Sequence, residues 1–269
     1  MTARFLCVAT HHKTGTVWMR RTFHKFATDS NIPIVRGYNM EQLATLPATG
    51  PALVVHWNSL FPVPFYDHPD ARFLHIVRDP RDILLSGARY HLTAPLGNEK
   101  FLRIKRDDLN GLTYQEHMNT LPTWVDQLLF EMENKHRETL TEMLVWPYGH
   151  PNVVDLRFEE MIDDTDCSLF RGALERMNVQ GFDIDGVVQY YWNHSLFGGI
   201  ADKENRKANV KKHVKSGTAA QWKTKLPREV AEVYAQRYGP ALRALGYADS
   251  DDWVAQCPSA ADVASASAA

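Results

Sequence analysis

The stretch Thr10-His11-His12-Lys13-Thr14-Gly15-Thr16-Val17-Trp18 lies between two patterns of different period. Before it, Phe5-Leu6-Cys7-Val8-Ala9 is an unbroken apolar run of strand length. After it, Met19, Phe23, Phe26 and Ala27 recur at i, i+4, i+7 and i+8, the spacing of one helical face. The stretch therefore reads as a strand-to-helix turn. The first N–H groups of a helix have no partner within it, and the helix dipole places partial positive charge there, so such a turn receives anions. Lys13 adds a full charge, the threonine hydroxyls add donors, and Gly15 lets the backbone approach a bulky phosphate or sulfate. An ordinary βα turn with a surface lysine is the bland alternative for this stretch taken alone.

The nucleotide loop G-x-x-x-x-G-K-[ST] does not fit. Here the lysine precedes the glycine, and Cys7 and His12 stand where the motif's two glycines would be needed.

Working outward, Ile32-Pro33-Ile34-Val35-Arg36 reads as a short edge strand, since it carries a proline. Ala52-Leu53-Val54-Val55 is a further apolar run, ending in His56-Trp57-Asn58. Arg72-Phe73-Leu74-His75-Ile76-Val77 and Val153-Val154-Asp155-Leu156 are the next strands. Unbroken apolar strands separated by helical patterns predict an α/β fold with a parallel sheet buried on both faces. In Arg78-Asp79-Pro80-Arg81-Asp82, Asp79 is a natural N-cap, Pro80 suits the first helical position and Asp82 falls in the first turn. Arg78 thus stands at the carboxyl end of a strand, where open α/β sheets bind ligands. A guanidinium can grip a phosphate with two parallel hydrogen bonds, and Ser86, two turns into the helix, can add a hydroxyl. A long helix is expected after Pro122, and a last one from Pro227, interrupted near Gly239-Pro240.

Composition narrows the classes. The chain has 269 residues, 44% of them hydrophobic and 23% charged, as in an ordinary globular protein with a sizeable core. A net charge of -2 argues against coating a nucleic-acid polymer or an anionic membrane. No apolar run approaches a membrane span. The three cysteines, Cys7, Cys167 and Cys257, are widely spaced and suit a reducing compartment. The expectations are one domain over residues 1–250, a tail over 251–269 that is disordered at least from 259, a cytoplasmic location, and no membrane insertion.

Three segments carry a resemblance to the sulfotransferases. Lys13-Thr14-Gly15-Thr16-Val17-Trp18 resembles the family's 5′-phosphosulfate loop, with Val17 in place of its second threonine. Arg78-Asp79-Pro80-Arg81-Asp82, followed by Ser86, is similar to its 3′-phosphate motif. Lys215-Ser216-Gly217, followed by Trp222-Lys223, resembles its late phosphate loop, with Lys215 for an arginine, Ser216 for a lysine and Ala220 for a second glycine. Phe158-Glu159-Glu160-Met161 looks like the family's Tyr-Glu-Asp-Met, phenylalanine replacing the adenine-contacting tyrosine.

The resemblance implies a P-loop-like three-layer sandwich with a central, mainly parallel sheet flanked by helices. It implies transfer of a sulfuryl group from 3′-phosphoadenosine 5′-phosphosulfate to a hydroxyl or amine of a small-molecule or glycan acceptor, without a metal. The product is 3′-phosphoadenosine 5′-phosphate, and a homodimer is compatible with it. By the same resemblance Lys13, Thr14, Gly15, Thr16 and Val17 bind the 5′ end and Trp18 stacks on adenine. Arg78, Ser86, Lys215, Ser216 and Gly217 hold the 3′-phosphate, and Phe158 touches the base. His56 matches the family's strand-end histidine base, although Val54 replaces the lysine two residues earlier. A small-molecule kinase and a non-catalytic nucleotide-binding relative are the competing readings.

Overall fold

The computed structural model describes residues 2–95, 99–195, 197–198 and 218–268. In chain order the elements are β1 (Phe5–Ala9), α1 (Thr16–Asp29), β2 (Ile34–Arg36), α2 (Met40–Leu43), β3 (Ala52–His56), α3 (Val63–Tyr66), β4 (Ala71–Val77) and α4 (Pro80–Thr93). They continue with α5 (Tyr114–Thr120), α6 (Trp124–Glu131), α7 (Arg137–Leu144), β5 (Val153–Arg157), α8 (Phe158–Asp163), α9 (Ser168–Met177) and α10 (Ile184–His194). The last are α11 (Trp222–Lys225), α12 (Arg228–Ala244) and α13 (Ala260–Ala268).

The five strands form one sheet in the order β2-β3-β1-β4-β5, and every pairing is parallel. Side chains alternate between its faces, as strand geometry requires. Leu6, Val8, Leu53, Val55, Leu74, Ile76 and Leu156 enter one apolar cluster with α1, α9 and α10. Phe5, Cys7, Ala9, Ala52, Val54, Ala71 and Phe73 enter the other, with Phe61, Phe65, Tyr66 and Trp146. A strand buried on both faces is apolar along nearly its whole length, which is why these segments show no alternation. The chain thus has the α/β fold expected, a parallel sheet flanked by helices. Pro33 stands just outside β2, at the sheet's edge, where a missing N–H is tolerated.

By its internal contacts the chain divides into two compact units. The first, Met1–Arg78 with Val145–Ala219, holds the sheet. The second, Asp79–Leu144 with Ala220–Ala269, is helical and has its own core, in which Leu84, Leu85, Tyr114, Leu128, Trp222 and Tyr234 are buried. Sequence periodicity does not register such a division, because the dividing signal is which distant segments touch.

Two local expectations are corrected. The long helix after Pro122 is α6 and α7 joined by a π-type turn over Met132–His136, with Asn134 at φ -114°, ψ -106°. The Asn134 amide donates to the Phe130 carbonyl at 2.8 Å, a side-chain intrusion of the kind that opens a helical ladder. Helix α12 runs through Pro240 without a break. In the C-terminal segment Trp253 and Cys257 are buried in the helical core, and Ala260–Ala268 is a helix. Its start is tied down where the Ala260 N–H donates to the Glu229 carboxylate at 3.0 Å. The cysteines are free and buried. Among the described residues no helix is long and apolar enough to cross a membrane.

Candidate functional site

The loop after β1 is organised by the backbone of His11. Its N–H donates to Thr14 Oγ1 at 2.8 Å. Its carbonyl accepts from Thr14 N (3.2 Å), Thr14 Oγ1 (3.0 Å) and Thr16 Oγ1 (2.8 Å). Thr16 Oγ1 also lies 2.9 Å from Thr10 Oγ1. The threonine hydroxyls, expected to face an anion, are thus engaged inside the loop, and Thr14 is fully buried. Gly15 caps α1 at φ 103°, and the helix's first amides, which have no partner within a helix, follow from Thr16, Val17 and Trp18. Lys13 adopts the left-handed region at φ 65°, unusual for a lysine. Gly15 is required on two counts, since its φ disfavours a side chain and a Cβ would stand 3.3 Å from the Phe158 ring.

Arg78 follows β4, the neighbour of β1, and is buried. Its Nη1 donates to the Lys13 carbonyl at 2.9 Å, and its guanidinium carbon lies 4.6 Å from the centroid of the Phe158 ring. Phe158 opens α8 directly after β5, which pairs with β4. The carboxyl ends of three adjacent strands therefore bring Lys13, Gly15, Arg78 and Phe158 together. A guanidinium, a helix N-terminus and an aromatic face in one place, with a lysine on the same loop, suit an anionic ligand that carries a ring.

His56 ends β3, on the other side of β1, and is buried. Its ring packs edge-on to Tyr38 at 4.4 Å and near Phe61 at 5.2 Å. Its Nδ1 accepts from the N–H groups of Asn58 (3.2 Å) and Leu60 (3.4 Å). In the neutral ring this places the proton on Nε2.

Trp18 is partly buried and packs within the sheet unit. Its ring stacks on Tyr191 at 4.4 Å, and its Nε1 donates to the Tyr191 carbonyl at 3.0 Å. Tyr191 in turn stacks on Phe170 at 3.8 Å and is fully buried, so this aromatic patch is core.

Ser86 lies in the helical unit, half-buried on α4. There the second and third motifs meet. Asp82 accepts the Trp222 N–H at 3.0 Å, and the Arg81 guanidinium lies 3.9 Å from one Trp222 ring centroid and 4.8 Å from a Trp253 centroid. Arg81 is held by Asp79 at 2.8 Å and donates to the Tyr247 carbonyl at 2.8 Å. Arg81, Asp82 and Trp222 therefore have structural work in this unit. Lys215, Ser216 and Gly217 lie outside the described residues.

Sequence reading missed His75 and Asp155. His75 Nε2 lies 2.9 Å from His11 Nε2, and His75 Nδ1 lies 2.8 Å from Asp155 Oδ1. The available signal was a polar residue inside each of two apolar strands.

This architecture is the sulfotransferase fold. No family model matches the chain, and no curated protein matches it. Among solved structures, the chain is similar to mouse sulfotransferase SULT7A1 complexed with PAP, at 16% identity and a TM-score of 0.53, over 91% of this chain and 88% of that one. It is also similar to a retinol dehydratase in complex with androsterone and inactive cofactor PAP, at 14% identity and a TM-score of 0.50, over 93% of this chain and 83% of that one.

Proposed function

We propose that the chain is a sulfotransferase that moves a sulfuryl group from 3′-phosphoadenosine 5′-phosphosulfate to a hydroxyl or amine of a small-molecule or glycan acceptor. The observation that carries the reading is the convergence of Lys13, the α1 N-terminus, Arg78 and Phe158 at adjacent strand ends. That set fits a nucleotide with a phosphate at each end of its sugar: Lys13 and the α1 amides for the 5′ end, Arg78 for the 3′-phosphate, Phe158 against the base.

The co-substrate supplies the sulfuryl group; the chain's own groups stabilise charge and move a proton. Lys13 and the helix amides oppose the negative charge that grows where the group departs, and need no reorganisation to do so. His56 is the proposed base. As its ring stands, Nε2 carries the proton, so accepting one there requires Nδ1 to be protonated and Asn58 and Leu60 to turn away from it. Both contacts are long, 3.2 and 3.4 Å, and therefore weak. Ser86 and the segment Lys215-Ser216-Gly217 remain proposed partners of the 3′-phosphate.

The test is a thermal-shift comparison of 3′-phosphoadenosine 5′-phosphate with ATP plus magnesium, followed by labelled sulfate transfer into pooled alcohols, phenols, amines and sugars. Stabilisation by the first nucleotide alone is expected. Preference for ATP would overturn the reading in favour of a kinase.

A further inference from the structure

In parallel register, Ala9 of β1 pairs with His75 of β4, and His75 pairs with Asp155 of β5. Residues paired in this way project to the same face, so one row across the sheet carries a methyl group, an imidazole and a carboxylate. His11, two residues beyond Ala9, reaches over that small side chain. The result is a chain of hydrogen bonds: Trp146 Nε1 to Asp155 Oδ1 (2.9 Å), Asp155 Oδ1 to His75 Nδ1 (2.8 Å), His75 Nε2 to His11 Nε2 (2.9 Å).

Both imidazoles are fully buried, while the carboxylate retains 28% exposure. Their 2.9 Å nitrogen–nitrogen separation is that of a hydrogen bond. Among the described residues no group of His, Cys, Asp and Glu is placed to hold a metal ion.

The proton positions follow in sequence. An ionised carboxylate only accepts, so His75 donates from Nδ1. Burial pushes His75 down to about 4, so its ring carries no second proton near neutral pH. Its Nε2 is then an acceptor, and His11 must donate from its own Nε2. The His11 ring is thereby fixed in orientation by a carboxylate two residues away in the chain of contacts. The same residue's N–H and carbonyl hold Thr14 and Thr16, and so the turn that carries Lys13.

We propose that Asp155 and His75 are positioning residues that lock the His11 ring from below and thereby hold the anion loop in its binding shape. In that role they need touch neither nucleotide nor acceptor. The proposal rests on the reading of that loop as the nucleotide site.

Two measurements test it. Nitrogen-15 imidazole spectra of the labelled full chain, without nucleotide, should show His75 with its proton on Nδ1 and His11 with a proton on Nε2. The opposite tautomer at either ring would overturn the proposal, and this arm needs no variant.

The second measurement compares His75→Gln with His75→Asn for binding of 3′-phosphoadenosine 5′-phosphate by calorimetry. A glutamine oxygen can stand where Nε2 stood and accept from His11; an asparagine reaches only the Nδ1 position. His75→Gln should stay within about threefold of the parent, and His75→Asn should weaken binding about tenfold or more. Equal losses in both would mean that His75 only fills space, and would overturn the proposal. A parent chain that fails to bind the nucleotide would instead remove the nucleotide reading, while the spectra would still decide the proton positions.

Discussion

Arg78 donates from Nη1 to the carbonyl oxygen of Lys13 at 2.9 Å, which joins the ends of two neighbouring strands through one buried cation. That bond does more than staple a loop. The same guanidinium lies over the Phe158 ring, its central carbon 4.6 Å from the centroid, and a guanidinium is the group whose planar fork matches a phosphate. A lysine at this position keeps the charge but loses the planar fork and the stacking. Arg78→Lys should therefore weaken 3′-phosphoadenosine 5′-phosphate by about 10- to 100-fold, on the order of 1.4–2.8 kcal/mol. Calorimetric titration reads this directly. An affinity within twofold of the parent would mean that Arg78 serves the fold and not the ligand.

Lys13 and His56 separate binding from chemistry. Lys13 is half-exposed, so Lys13→Ala should leave the melting temperature nearly unchanged. Its turnover should fall by about 10²–10³, the usual loss when one group opposing transition-state charge is removed. His56→Ala should abolish measurable sulfate transfer while nucleotide affinity stays within about threefold of the parent. Turnover that survives in His56→Ala would exclude it as the base.

Gly15 offers a test of the loop's geometry that does not involve charge. Alanine there must adopt φ near 103° and bring a methyl group to 3.3 Å from the Phe158 ring. The backbone term alone costs about 1–2 kcal/mol. Gly15→Ala should lower the unfolding midpoint in urea and also weaken the nucleotide, because Phe158 must shift beneath Arg78. An unchanged midpoint would contradict the close approach of loop and ring.

How much of this was legible in the sequence depends on the range of each interaction. The loop, the N-cap at Asp79 and the strand-end placement of Arg78 were readable because turn chemistry and periodicity are local; Asp79 does accept the Arg81 N–H at 2.9 Å. The engagement of Thr14 and Thr16 was not, since spacing says which residues share a turn and not which way a hydroxyl rotates. The partner on which Trp18 stacks within the protein, Tyr191, lies far along the chain and could not be read from the loop. The histidine chain needed the register between β1, β4 and β5, which no single segment encodes. The packing of the C-terminal segment was out of reach for the same reason. Its alanine- and serine-rich end carries little apolar surface, and it is anchored by Trp253 against Trp222 and Tyr234, with ring centroids at 5.6 and 6.2 Å.

Two buried histidines make the fold acid-labile in a defined window. Burial lowers His75 and His136 to about 4 from 6.5. Above 6.5 both are neutral in the folded and unfolded chain and contribute no pH dependence. As the pH falls below 6.5 the unfolded chain takes up protons first, which favours unfolding until the folded-state value near 4 is reached. By pH 5 the loss is about 2 kcal/mol for each residue. His24 and His194, lowered mainly by partial burial, act with the same sign. Carboxylates held low by hydrogen bonds, such as Asp166 and Asp262, lose their contribution only below about 4 and so stay out of this window. Urea midpoints should therefore fall between pH 7.5 and 5, and His136→Gln, which cannot titrate, should show a smaller drop than the parent. Tyr234, whose hydroxyl lies 2.9 Å from His136 Nε2, can still bond the glutamine amide, so the variant removes the proton and keeps the contact. Equal drops in variant and parent would show that His136 does not remain neutral in the folded chain.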